Sequence, residues 1–299
     1  MRIGMAFGDV RGPSPLPEIT RQLHAAAAAG VRSAWISDGV GWDALTALAA
    51  VGPTPSGMEL GTAVVPFPQR HPLLLARQAL TTQAAVGGHL TLGIGAGIAR
   101  MVETMYGLPT DQPAARLREY LQVLHSLLRG DPVDHHGKHY TAVGQLTPPA
   151  DDRPEVLVAA LGPVMLKVAG ELAGGTITWM TGPRTLSNHV VPSITRAAGS
   201  RVPRVVAGFA VCLTSAEDAV RARFAQEFAL AGQVPEYRAM LEREGADGPA
   251  DILLAGDEAA IGKQLDRIRD AGATDVMLAP IGTAEEQRRT SEYLSTVVR

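Results

Sequence analysis

Eight short apolar runs alternate with amphipathic helical patterns along nearly the whole chain, and few folds accept that order. The runs cover residues 3–7, 33–37, 58–65, 90–94, 155–159, 176–180, 205–211 and 275–279. Several are apolar on consecutive residues, as expected of strands buried on both faces of a parallel sheet. Ile19, Leu23, Ala26 and Ala27 share one helical face, which stops at Gly30. Leu117, Leu121, Leu124 and Leu128 form another that stops at Gly130, and Ile261, Leu265 and Ile268 a third that stops at Gly272. Glycine after such a stripe suits the left-handed residue that closes a helix. Eight βα units in 299 residues predict an α/β fold, a (β/α)8 TIM barrel, with residues 1–299 forming a single domain. Two segments exceed eight plain units. Residues 131–154 predict a hairpin or loop between strands four and five. Residues 230–256 predict a polar insertion between strands seven and eight, with a short helix around Tyr237, over the barrel mouth.

Composition removes several classes of function. The net charge is −3 with no run of Lys or Arg, so no nucleic-acid partner is expected. The single cysteine, Cys212, permits neither an intrachain disulfide nor a cysteine metal site and reads as a small buried hydrophobe. No apolar run reaches the roughly 18 residues of a membrane span. The first seven residues read as a strand rather than a signal peptide. A cytoplasmic protein without a membrane partner is the expectation. His135, His136 and His139 lie close together, but in a predicted surface hairpin with no carboxylate at helical spacing, so no metal site is expected. Neither a nucleophile elbow nor a P-loop is present.

In a barrel of this kind the chemistry gathers where the strands end. Leu60-Gly61-Thr62-Ala63-Val64-Val65-Pro66 is a buried strand that opens abruptly into a proline-rich loop, and its small pair Ala63-Val64 stands where a backbone could press against a flat ligand. Gly93-Ile94-Gly95-Ala96-Gly97 ends strand four; it serves either a ligand chain lying on bare backbone or a tight turn with positive φ. After strand five, Leu161-Gly162-Pro163-Val164 starts a helix. Its free N–H groups and dipole favour a phosphate, although an ordinary βα turn has the same pattern. After strand two, Asp38 can accept a hydrogen bond from a ring N–H or a substrate hydroxyl. Asp43 reads as a helix N-cap, and Trp42 as a pocket wall or as loop packing. His71, before Pro72 on the same rim, is the candidate for proton transfer.

Taken in order, these segments resemble the luciferase-like superfamily, in particular its coenzyme F420 (deazaflavin) branch. The matching pieces are Ser33-Ala34-Trp35-Ile36-Ser37-Asp38, the stretch 60–72, and 88–97. Arg118-Glu119-Tyr120, Gly137-Lys138-His139-Tyr140, the stretch 154–165, and 169–175 follow, with Ala271-Gly272-Ala273-Thr274-Asp275-Val276 last. The resemblance implies a non-prolyl cis peptide at Ala63-Val64, forming a bulge behind the cofactor ring. It implies backbone contacts to the cofactor from Gly95, Ala96, Gly97, Leu161, Gly162 and Val164. Asp38 would stand near the polar edge of the ring, and Met180 and Thr181 would line the site from strand six. It also implies a homodimer, and a reductase that regenerates the reduced cofactor.

Departures from the family sharpen the expectation. Bacterial luciferases carry a phosphate-binding arginine where this chain has Ala96 and a reactive cysteine where it has Gly95. Related sugar-phosphate and alcohol dehydrogenases carry a histidine where Gly39 stands, and the sugar enzymes a glutamate where Ile98 stands. The expected function is therefore an F420-dependent oxidoreductase transferring hydride between the cofactor and a small organic substrate, with reduction favoured by the missing base. The alternatives are an FMN-dependent monooxygenase fed by a partner reductase and a non-catalytic deazaflavin-binding protein.

Overall fold

The computed structural model describes residues 1–7, 15–54, 57–147 and 152–297. Twelve strands run in chain order. They are β1 (Arg2–Phe7), β2 (Ser33–Ile36), β3 (Glu59–Thr62), β4 (Val65–Pro66), β5 (Leu90–Gly95) and β6 (Val133–His136). The others are β7 (Thr141–Gly144), β8 (Glu155–Ala159), β9 (Gly175–Trp179), β10 (Arg204–Leu213), β11 (Leu254–Gly256) and β12 (Asp275–Pro280). Eight of them pair in parallel in the order β1-β2-β3-β5-β8-β9-β10-β12, and β12 returns to β1 to close the barrel. The TIM-barrel expectation is met. Glycines 30, 130 and 272, expected to end helices, have φ of 95°, 76° and 93°. No helix among the described residues is long and apolar enough to cross a membrane.

The interior of the barrel follows from alternation along each strand. At the N-terminal end, the first residues of several strands are charged. Arg204 reaches Glu59 at 2.8 Å, Glu155 at 2.8 Å and Asp275 at 2.7 Å. These contacts push the arginine's pKa up against the opposing effect of burial. Above it lies Trp35, 1% exposed, whose ring centroid is 5.7 Å from the guanidinium carbon. The indole N–H donates to Ser33 Oγ at 3.2 Å, so the buried ring leaves no polar atom unmet. Trp35 packs with Leu157, Ile177, Val206 and Met277. Ala6, Ala63, Val64 and Trp179 lie against this group and are partly exposed. A ring of that size fits because its neighbours lack side chains: a Cβ at Gly61 would come within 2.3 Å of the indole.

Three differences from the sequence reading concern local geometry. The single strand expected over 58–65 is two pieces, β3 and β4, with Ala63-Val64 between them. Thr62 bridges the break: its hydroxyl donates to the Gly93 carbonyl at 2.8 Å and accepts the Gly93 N–H at 2.9 Å. The peptide bond between Ala63 and Val64 is cis, at the position the resemblance implied. The seventh barrel strand, expected over 205–211, extends to Leu213, and the unexpected β11 pairs with that extension. Cys212 lies in this upper wall, fully buried, and burial pushes its thiol up to about 11.

Both insertions fall between the barrel strands expected. Strands β6 and β7 form an antiparallel hairpin between the fourth and fifth barrel strands, and the end of that segment, residues 148–151, lies outside the described residues. The later insertion contains the helix Pro235–Glu244. Its Glu244 carboxylate accepts from the backbone N–H groups of Arg184 at 3.1 Å and Thr185 at 2.7 Å, tying the insertion to the loop after β9.

The fit of Trp35 makes a direct prediction. Gly61→Ala forces a methyl group into the indole and is expected to destabilise the fold by about 1–3 kcal/mol. A fall in the urea midpoint, with an unchanged denaturant slope, is the expected result.

Candidate functional site

The barrel mouth is a shallow cup. Its floor is the upper face of the Trp35 layer, and small residues lie around it: Ala6 on β1, Ala63 in the break after β3, Gly95 on β5, Ala159 on β8 and Gly208 on β10. The two glycines leave no room for a side chain. A Cβ at Gly95 would meet Val64 Cγ2 at 2.7 Å and Ala159 Cβ at 3.1 Å. A Cβ at Gly208 would meet the Trp179 ring at 2.8 Å. The extension of β10, with β11 against it, raises one side of the cup into a wall, and Trp179 stands at its foot, touching both the barrel interior and the wall's own apolar cluster. A crevice of about 370 Å³ lies elsewhere, on the outer side of β10, lined by Phe209, Leu254, Gln264 and Arg267. It receives none of the strand-end residues singled out here.

The expected cofactor contacts fall into two groups. Ala63 and Val64 are partly exposed at the cup, as are Ala96 and Leu161, while Gly97 is exposed with φ 74°. Gly162 starts the helix Pro163–Leu172, which has proline in its first turn and no side chain capping it. Val164 in that turn is 62% exposed, so the helix start lies at the surface, where free amides and the helix dipole suit an anion. His189 reaches the Leu161 carbonyl at 2.7 Å and buttresses this loop. Met180 and Thr181 behave differently: they are 3% and 0% exposed, and Met180 takes φ 53°. The residue that strand six presents to the cup is Trp179.

On the opposite rim, Asp38 does not stand alone. Arg70 Nη1 lies 2.8 Å from Asp38 Oδ2, close enough for an ion pair but off the axis of a hydrogen bond. Arg70 Nη2 bonds Asp43, and the Arg70 carbonyl accepts from the Tyr120 hydroxyl at 3.1 Å. Burial, helped by nearby Asp43, raises the Asp38 carboxyl above its ordinary range despite Arg70. Burial also opposes ionisation of Asp43, but the Thr46 amide and Arg70 outweigh it and hold that carboxyl low. Asp43 is the N-cap expected for the helix Ala44–Val51, accepting from the Thr46 N–H at 2.8 Å. Trp42, between the two aspartates, is 53% exposed.

His71 is a clasp. Its Nδ1 accepts the Leu73 N–H at 3.2 Å, capping the helix Pro72–Ala85, and its Nε2 lies 2.9 Å from the Thr141 carbonyl in the hairpin. A carbonyl can only accept, so Nε2 carries the proton and Nδ1 does not. Both nitrogens are thus engaged. The hairpin histidines have carboxylate partners that sequence spacing did not reveal. His135 meets Glu119 at 3.0 Å and His136 meets Asp134 at 2.9 Å. Glu119 also accepts the amides of His139 at 3.0 Å and Tyr140 at 2.8 Å, filling the hairpin turn so closely that a Cβ on Gly137 would lie 1.8 Å from its oxygen. No three His, Cys, Asp or Glu side chains converge on a metal-sized site among the described residues.

Known proteins share the fold. The sequence profile of luciferase-like monooxygenases matches residues 3–293. The chain belongs to that family. Among curated family relatives, a putative coenzyme F420-dependent oxidoreductase of Mycobacterium tuberculosis is 30% identical over 62% of this chain, which spans 57% of that relative's length. The 5,10-methylenetetrahydromethanopterin reductase of Methanopyrus kandleri is 27% identical over 95% of both chains. Among solved structures, an F420-dependent secondary alcohol dehydrogenase holding an F420–acetone adduct superposes with a TM-score of 0.82. It covers 100% of this chain and 99% of its own, at 18% identity, which shows a shared fold.

Glu119 makes the hairpin sensitive to acid. Burial opposes its charge, but His135 and the two amides prevail and hold its carboxyl below the ordinary 4.5. A carboxyl lower in the folded state stabilises above the unfolded value, and that contribution disappears as pH falls through the folded value. Glu119→Gln is expected to unfold earlier than the wild type at pH 7, and the gap to narrow steadily below pH ~4.5. Thermal unfolding of both proteins from pH 7 to pH 3 measures it.

Proposed function

We propose that this chain is a coenzyme F420-dependent oxidoreductase that transfers hydride between the deazaflavin and a small organic substrate, working as a reductase. The observation that carries the reading is the strand-end rim: the small residues Ala63, Gly95 and Ala159 around the Trp35 layer, beside a helix start at Gly162 that no side chain caps. Such a site suits a planar ring joined to a phosphate. The residues present fit the group. Ala63 and Val64 would back the ring, Gly95, Ala96, Gly97 and Leu161 would lie along the chain joining ring and phosphate, and the amides around Gly162 and Val164 would hold the phosphate.

When bound, the reduced cofactor supplies a hydride from a ring carbon, a two-electron transfer that needs no activation of oxygen. The chain's part is then to bind, orient and exclude water. Trp179 and the raised β10 wall close one side of the cup, and Trp42 stands exposed on the rim that Asp38 begins. Among the described residues the rim offers little free base. Asp38 faces Arg70, both nitrogens of His71 are engaged, and positions 39 and 98 hold glycine and isoleucine. That supports reduction over oxidation of an alcohol, which needs a proton acceptor. Ala96 offers no side-chain cation to an FMN phosphate, and the Mycobacterium tuberculosis relative that matches 62% of this chain is named for coenzyme F420.

Titration against F420 and FMN separates the readings. We expect F420 to bind at least tenfold more tightly than FMN. Reduced F420 should be oxidised in a single turnover by members of a panel of enones and imines, without oxygen uptake. Tighter FMN binding with oxygen consumption would make the chain a flavin monooxygenase, and F420 binding with no turnover would make it a carrier.

A further inference from the structure

One side chain joins the two loops that form the Asp38 rim. Arg70 follows β4, is 13% exposed, and sends one guanidinium nitrogen to Asp38 and another to Asp43. These two aspartates are the ends of a short segment whose interior, Gly39-Val40-Gly41-Trp42, is exposed throughout. A Cβ built on either glycine would meet nothing within 4 Å, so the segment's shape is not imposed by packing at those points. Arg70 is itself fixed from behind. Its carbonyl accepts from Tyr120, whose ring stands 5.3 Å from both Phe67 and Tyr140.

We propose that Arg70 is a positioning residue of the mouth: its one guanidinium grips both ends of the 38–43 segment and so sets where the Asp38 carboxyl and the Trp42 ring stand. The argument is geometric. Two carboxylates on one short segment repel each other, and a planar fork faces both at once, donating from Nη2 to Asp43 while Nη1 pairs ionically with Asp38. An ammonium is a single point of charge and cannot span the pair in the same way. The significance for ligand binding rests on the reading of the mouth as a deazaflavin site, but the grip itself is a property of the chain without ligand.

Time-resolved anisotropy of tryptophan fluorescence on the ligand-free protein tests the grip, with Trp42→Phe subtracted to remove Trp35 and Trp179. In Arg70→Gln we expect the fast local component of Trp42 to at least double in amplitude, while circular dichroism remains that of the folded wild type. Arg70→Lys retains the charge and should stay closer to Arg70→Gln than to the wild type. If either variant keeps the wild-type anisotropy, or if lysine restores it, the proposal is overturned. Should Arg70→Gln not fold, Asp43→Asn, which weakens one arm of the grip, takes its place with the same expected rise. F420 titration of the same proteins keeps the two ideas apart. A wild type that does not bind F420 defeats the functional reading and leaves the grip standing. A wild type that binds, beside an Arg70→Gln that binds within twofold of it and shows no added motion, defeats the grip alone.

Discussion

Trp35 over Arg204 sets the depth of everything above it. An eight-stranded barrel has an interior that side chains must fill, and here an indole fills the middle layer together with Leu157, Ile177, Val206 and Met277. It can do so because Gly61 beside it contributes no side chain. The charged layer beneath, Arg204 with Glu59, Glu155 and Asp275, closes the other end and offers the ring a cation at 5.7 Å. With the lower two layers occupied, the top layer is mostly alanine and glycine, with Trp179 at one side. A shallow cup at the strand ends is therefore a packing result before it is a binding site.

The parts added to the barrel are fastened by a repeated device. A carboxylate on one element accepts backbone amides from another. Glu119 does this for the hairpin turn, and Glu244 for the loop after β9. Hydrogen bonds of this kind are charge-assisted and fix the direction of the backbone they hold, which a surface ion pair does not. Around Tyr120 the same end is reached with rings, through Phe67, Tyr140 and His71. The insertions are thus extensions of the barrel's own hydrogen bonding, and the rim they form has defined geometry.

What the residues alone revealed follows from the range of each interaction. Strand and helix periodicity is local, so all eight barrel strands, the glycine helix ends, the hairpin and the helix near Tyr237 were legible. The cis peptide at Ala63-Val64 was legible only through resemblance, and the split of the third strand was not legible, because the hydroxyl of Thr62 replaces ladder bonds that the sequence alone would assign to a continuous strand. Met180 and Thr181 were named for strand six, yet alternation from Ile177 leads to Trp179, and that signal was available. Arg70 was not legible. Its partners stand 27 and 32 positions away, and nothing in the spacing of Arg70, Asp43 and Asp38 announces that they meet. Glu119 escaped for the same reason: the three histidines were weighed against carboxylates nearby in sequence, whereas His135 finds its partner 16 residues earlier.

Position 39 separates packing from chemistry at this site. Many glycines in the barrel are there because a methyl group would collide with something, as at Gly61 or Gly208. Gly39 has open space around its missing side chain, and it is exposed. Its lack of an imidazole, where related dehydrogenases carry one, is therefore not forced by the fold. Ile98, the other departure, begins the helix Ala99–Tyr106 without a side-chain cap, where a polar residue could have supplied one. Two positions able to hold an acid or base thus hold neither, beside an aspartate already faced by an arginine. A mouth built this way contributes shape and backbone rather than an acid or base of its own at these two positions.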